Sequence, residues 1–113
     1  MKLWLDDIRD PVDFGRPDWY WAKTAEEAVS IFRTGVVTVA SLDHDLSEGQ
    51  MTLGGYLGKI YEDGQLSGYD VVLFLKQHPQ FWPSGGVRVH SANPAGKARM
   101  EQVIIKFYGR KFV

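Results

Sequence analysis

Val36-Val37-Thr38-Val39-Ala40 runs directly into Ser41-Leu42-Asp43-His44-Asp45-Leu46. A short apolar run rich in β-branched residues has the pattern of a strand buried on both faces, and such strands belong to parallel sheets covered by helices. In open α/β sheets ligands bind beyond the carboxyl ends of the strands. Two carboxylates and an imidazole therefore stand where such folds keep their sites. Three adjacent ionisable groups are costly to bury without a counter-charge, so they either face water or share a cation.

Working outward, the chain supplies groups of the same kind at other strand ends. Leu3-Trp4-Leu5 reads as a first strand that runs into Asp6-Asp7-Ile8-Arg9-Asp10-Pro11, where Pro11 cannot continue a ladder. Val87-Arg88-Val89-His90-Ser91 reads as a late strand, with Val87 and Val89 on one side and Arg88 and His90 on the other. Val12 to Asp18 reads as a loop, and Trp19-Tyr20-Trp21-Ala22 has the aromatic content of a strand. Thr24 and Glu27 have capping-box spacing ahead of Ala25, Ala28, Val29 and Phe32 at helical intervals, and Gly35 stops that helix.

Ser67-Gly68-Tyr69-Asp70 opens a second helix that ends at Gln77-His78-Pro79, which gives His78 a structural place in the last turn. Asn93 is an N-cap and Pro94 a first helical residue for a third helix carrying Met100, Val103, Ile104 and Phe107. The tail from Tyr108 to Val113 offers one more short strand. Between 47 and 67 the period is lost among Gly49, Gly54, Gly55, Gly58 and Gly64, which predicts an irregular loop or lid. Alternating short strands and helices predict an α/β fold with a mainly parallel sheet and the acidic and histidine-bearing strand ends on one edge.

A chain of 113 residues is one domain, spanning 1–113. Its formal net charge of -1 provides no field to draw in long nucleic acid or an anionic membrane. The absence of cysteine excludes disulfides, thiol catalysis and thiolate metal sites. Without an apolar run of membrane-spanning or signal-peptide length, the expected location is the cytoplasm. Trp19, Trp21 and Trp82 do not alternate with basic residues, so they read as packing rather than a base-stacking platform.

On this fold Asp6, Asp7, Asp43, His44, Asp45, His90, Ser91 and Asn93 converge at the ends of three strands. Carboxylates with one or two imidazoles and no thiol suit a hard or intermediate divalent cation such as Mg²⁺ or Mn²⁺. Asp6, Asp7 and Asp43 are the candidate ligands. A metal so held can polarise a phosphoryl oxygen, and a histidine with its ordinary pKa of roughly 6.5 can move a proton at neutral pH. Asp43, His44, Asp45 and His90 are accordingly the candidate catalytic groups, with Arg9, Ser91 and Asn93 as candidate phosphate-binding residues.

These motifs, in order, resemble response-regulator receiver domains, and more closely their divergent relatives, the cyclic-phosphate processing receiver domains. Leu3 to Pro11 is similar to the family's opening motif, Ser41 to Leu46 to its middle motif, Ser67 to Val72 to the helix start after it, and Val89 to Gly96 to its last motif. The resemblance implies a receiver-like, flavodoxin-like three-layer fold with about five short strands, the first helix and last strand shortened. It also implies that Asp6 and Asp7 bind Mg²⁺, that Asp43 stands at the receiver's phosphorylated position and that Ser91 stands at its Ser/Thr position. His44, Asp45, His90 and Asn93 depart from ordinary receivers, and the receiver lysine has no match, since Lys111 lies in the short tail.

The function so implied is metal-dependent hydrolysis or processing of a cyclic phosphate on a small phosphorylated ligand, a cyclic nucleotide or an RNA end. One variant of that chemistry makes Asp43 a covalent nucleophile, with Asp45 two residues on as acid–base, a spacing similar to that of haloacid-dehalogenase-like phosphatases. Two other classes compete: a receiver-like signalling module phosphorylated on Asp43, and a protein that binds a cyclic nucleotide without turning it over.

Overall fold

The structure is a computed structural model that describes residues 1–46 and 67–111. The expected loop or lid at 47–67 lies, apart from Ser67, outside the described residues. Four parallel strands form one sheet in the order β2-β1-β3-β4: β1 (Lys2–Leu5), β2 (Tyr20–Ala22), β3 (Val39–Leu42) and β4 (Val87–Val89). Helix α1 (Ala25–Phe32) follows β2, α2 (Gly68–Gln77) precedes β4, and α3 (Pro94–Lys111) follows it.

Local signals explain the helix starts. The Thr24 hydroxyl accepts from the N–H of Glu27 at 3.0 Å, and the Glu27 carboxylate accepts from the N–H of Lys23 at 2.9 Å. At α2 the Asp70 carboxylate accepts from the Ser67 N–H at 2.7 Å. At α3 the Asn93 side chain accepts from the Gly96 N–H at 3.0 Å. The bonds from Glu27, Ser67 and Gly96 each satisfy an N–H that the helix itself leaves without a partner, and the bond from Lys23 fixes the residue before the cap.

The strand registers sort the sheet into two faces. Leu3, Leu5, Ala22, Ala40, Leu42 and Val87 share one face and merge with Ala25, Ala28, Val29 and Phe32 of α1, Val71, Val72 and Leu75 of α2, and Met100 and Ile104 of α3 in a single core. Trp4, Ser41, Arg88 and Trp21 occupy the opposite face, since Trp4 pairs with Ser41 and Trp21, and Ser41 with Arg88. That third layer is thin. No α-helix lies between β1 and β2, only a 3₁₀ turn at Pro11–Phe14 capped by Asp10, and Trp4 is buried there against Phe14 and Trp19.

Two expectations need correction. The apolar run enters the sheet later than its composition suggests: Val36 is exposed, and ladder pairing starts at the Lys2–Val39 register. The carboxyl-terminal tail forms no fifth strand among the described residues, because α3 continues to Lys111. Met100, Val103, Ile104, Phe107 and Tyr108 keep helical spacing, and the last turns are anchored. Phe107 stacks on Trp82 with centroids 4.5 Å apart, and the Tyr108 hydroxyl donates to the Pro83 carbonyl at 2.6 Å. Burial pushes that phenol up to about 12. His78 follows α2 as its C-cap, against Phe74, as expected of a structural residue.

Because Trp82 is the anchor for the end of α3, Trp82→Ala is expected to cost about 3 kcal/mol of stability in a urea titration. A loss below about 1 kcal/mol would contradict the packing of the tail as helix.

Candidate functional site

Three backbone hydrogen bonds carry the ladder one residue past the strands. Asp6 N–H donates to Ala22 C=O at 3.0 Å, Asp43 N–H to Leu5 C=O at 2.9 Å and His90 N–H to Leu42 C=O at 3.0 Å. Alternation then carries Asp6, Asp43 and His90 to the same face as Trp4, Ser41 and Arg88. Asp6, Asp7 and Asp43 each offer a carboxylate oxygen within 4.8 Å of the others. Asp6 is fully buried and Asp43 nearly so.

The two buried carboxylates are treated differently. Asp6 Oδ1 accepts from the N–H groups of Ile8 at 3.0 Å and Arg9 at 2.8 Å, and Oδ2 accepts from His90 Nε2 at 3.1 Å. Burial pushes the Asp6 carboxyl up, but His90 and the two N–H groups together outweigh it and hold the acid below its usual range. Asp43 accepts from one neighbouring N–H, that of His44 at 2.8 Å. Burial, with the Asp6 charge beside it, keeps the Asp43 carboxyl above its usual range against the weaker pull of His90, the His44 N–H and Arg9.

The two histidines also differ. His90 is wedged in the thin layer: its ring stacks on Trp4 with centroids 3.8 Å apart and planes 7° apart. Its Nδ1 lies 2.7 Å from Ser41 Oγ while Nε2 reaches Asp6. An ionised carboxylate only accepts, so Nε2 donates to Asp6, and in the tautomer that carries its hydrogen at Nε2 the Nδ1 atom accepts from the Ser41 hydroxyl. Both ring nitrogens are thus engaged within the protein. His44 Nδ1 lies 2.8 Å from Asp45 Oδ1, and no described residue hydrogen-bonds its Nε2. The hydrogen bond from His44 keeps the Asp45 carboxyl low, and Asn93 Nδ2 donates to the same oxygen at 3.3 Å.

The candidate phosphate-binding residues fall in different places. The Arg9 guanidinium stands 3.7 Å from Asp6 Oδ2, with about a third of its side chain exposed. Ser91 Oγ accepts from the Asn93 N–H at 3.0 Å and so shapes the turn before α3, while Asn93 spends both ends of its amide on Gly96 and Asp45. Lys111, the last residue of α3, lies about 25 Å along the helix from the first turn, so it does not stand at the receiver lysine's place.

A cyclic-phosphate processing receiver domain model matches residues 1–106 of the 113. The chain belongs to that family. Neither a curated protein nor a solved structure matches it. In this receiver-like domain the opening, middle and last motifs are the segments that the ladder aligns at one sheet edge.

Sequence reasoning gave no site role to Ser41 or Trp4 and read Trp21 as packing alone. Trp21 Nε1 donates to the Asp6 carbonyl at 2.7 Å and fixes the turn that carries the acidic pair. Strand alternation was the available signal, since Trp4 precedes Asp6, and Ser41 precedes Asp43, by one period of two.

The carboxylates imply a pH dependence with opposite signs. The lowered Asp6 pKa contributes stability above the ordinary value of 3.8, lost as pH falls through the folded-state value. The raised Asp43 pKa gives stability that is lost as pH rises from 3.8 through its folded-state value. In chelator at pH 7, Asp43→Asn is therefore expected to melt at a higher temperature than the wild type, with the gap closing as pH drops toward 3.8. A less stable variant at pH 7 would contradict the uncompensated charge.

Proposed function

We propose that this protein is a metal-dependent phosphoesterase that opens cyclic phosphates carried by nucleotides or by an RNA end. The observation that carries the reading is the meeting, at one sheet edge, of three carboxylates within 4.8 Å of one another and a histidine held by its own carboxylate, His44 on Asp45. The family, with its cyclic-phosphate processing receiver description, supports the substrate class.

The donor set fits a hard divalent cation. It consists of carboxylate oxygens alone, since His90 directs its nitrogens at Asp6 and Ser41. Asp6, Asp7 and Asp43 would hold Mg²⁺ or Mn²⁺, which supplies Lewis-acid polarisation of a phosphoryl oxygen. The raised Asp43 carboxyl is the group with most to gain from a positive neighbour.

The remaining steps belong to the chain. Asp45 accepts the Nδ1 hydrogen of His44, leaving Nε2 as the basic nitrogen, and its negative charge stabilises the imidazolium formed when Nε2 takes a proton from the attacking oxygen. The same nitrogen returns a proton to the ester oxygen that leaves. Arg9 offers its planar fork to the phosphate oxygens that do not react. His90 keeps Asp6 ionised and oriented, a positioning task rather than proton transfer. Signalling through a phosphorylated Asp43 has weaker support, because the described residues contain neither the fifth strand nor a lysine at its end. Sequestration without turnover leaves the His44–Asp45 pair without a task.

Phosphorus NMR on a 2′,3′-cyclic mononucleotide, an RNA oligomer with a 2′,3′-cyclic phosphate end and a cyclic dinucleotide tests the reading. One cyclic signal is expected to disappear with Mg²⁺ or Mn²⁺ and to persist with chelator or with Asp43→Asn. His44→Ala is expected to lower kcat about 10²- to 10⁴-fold. No turnover of any substrate with either metal would contradict the proposal.

A further inference from the structure

Glycine in the first turns of α2 and α3 is unexpected on local grounds. The positive-φ glycines among the described residues are Gly15, Gly35 and Gly86, so the backbone at Gly68 and Gly96 requires no glycine. Each position forgoes helix propensity that alanine would supply. Both glycines are buried, and what they provide is room.

A Cβ on Gly68 would run into the backbone carbonyl of Asp43. A Cβ on Gly96 would stand 2.5 Å from Cγ and Cδ2 of His44 and 2.8 Å from its Nδ1. The Gly68 N–H also donates to the His44 carbonyl at 2.9 Å. The Asp43-His44-Asp45 segment is therefore held between two helix starts, its backbone on Gly68 and its imidazole on Gly96. Asn93 closes the circuit, accepting from the Gly96 N–H at 3.0 Å and donating at 3.3 Å to the Asp45 oxygen that holds His44.

We infer that Gly68 and Gly96 are positioning residues with separate tasks: Gly96 sets the His44 ring, and Gly68 sets the backbone that carries Asp43. The catalytic part of this inference rests on His44 as the proton-transfer group; the geometric part does not. The flat surface of Gly96 lets the ring lie against α3 while Nδ1 reaches Asp45, and any side chain there would turn the ring off its partner. A side chain at Gly68 would instead displace the Asp43 main chain and, with it, a carboxylate of the acidic cluster.

Gly96→Ala and Gly68→Ala in the full chain separate the tasks. Gly96→Ala is expected to keep Mn²⁺ affinity within about threefold of wild type while lowering kcat about tenfold or more with little change in KM. Gly68→Ala is expected to weaken Mn²⁺ binding about tenfold or more. Equal weakening of Mn²⁺ binding by both variants would overturn the division.

A thermal cycle tests the His44 contact without metal or substrate, so its result holds whether or not phosphoesterase turnover is found. Gly96→Ala is expected to lower the melting temperature of the wild type but to raise that of His44→Ala by about 4 °C, where only helix propensity remains. The same change in both backgrounds would overturn the inference. Should Gly96→Ala alone not fold, folding restored in the double variant supports it and continued failure overturns it.

Discussion

Two carboxylates are buried side by side at the ends of paired strands, and their mutual repulsion governs what must surround them. Leu5 pairs with Leu42, so the next residues, Asp6 and Asp43, are forced level with one another, and the Asp43 N–H on the Leu5 carbonyl fixes the level. Water cannot screen two buried charges. The protein compensates one and leaves the other: Asp6 receives two backbone N–H groups, an imidazole and a nearby guanidinium, while Asp43 receives the N–H of its own neighbour. Their pKa values are driven apart, that of Asp6 below the usual carboxylate range and that of Asp43 above it.

The same asymmetry runs through the fold. All three helices contribute to the core on one face of the sheet, and the other face carries a 3₁₀ turn and a cluster of aromatic rings. His90 lies on that thin side, flat on Trp4, where its nitrogens serve Ser41 and Asp6. His44 stands against the helical side at Gly96 with Asp45 as partner. One imidazole is consumed in holding the acidic cluster and the other keeps a nitrogen that no described residue binds. The different surroundings of the two histidines follow from which layer each one meets.

Much of the architecture is legible in the sequence, because it rests on local rules. Thr24 with Glu27, Asn93 with Pro94, and the apolar spacing of α1 and α2 mark helix starts and faces by short-range chemistry. The acidic and histidine-bearing strand ends share an edge because parallel strands leave no other arrangement. The tail from Tyr108 offers a short strand by its local sequence, but Trp82 and Pro83, far away in sequence, hold its first turn as helix. Local propensity carries no information about such partners.

Within the site, residue types identified the cluster of Asp6, Asp7 and Asp43 but not the distinct surroundings of His44 and His90. Those depend on Ser41, Trp4 and Gly96, which lie on three different elements. The glycines were hardest to read. At Gly68 and Gly96 the need for hydrogen in place of a methyl comes from another segment's carbonyl and ring, which helical spacing does not reveal.

On this proposal the level pair Asp6 and Asp43, with Asp7, forms a seat for one divalent cation. Titration of the metal-free protein with Mn²⁺, followed by electron paramagnetic resonance of the free ion, decides whether the seat exists. One ion bound per chain is expected, displaced by excess Mg²⁺, with binding lost in Asp43→Asn. Binding that is absent in the wild type, or unchanged in that variant, would contradict it.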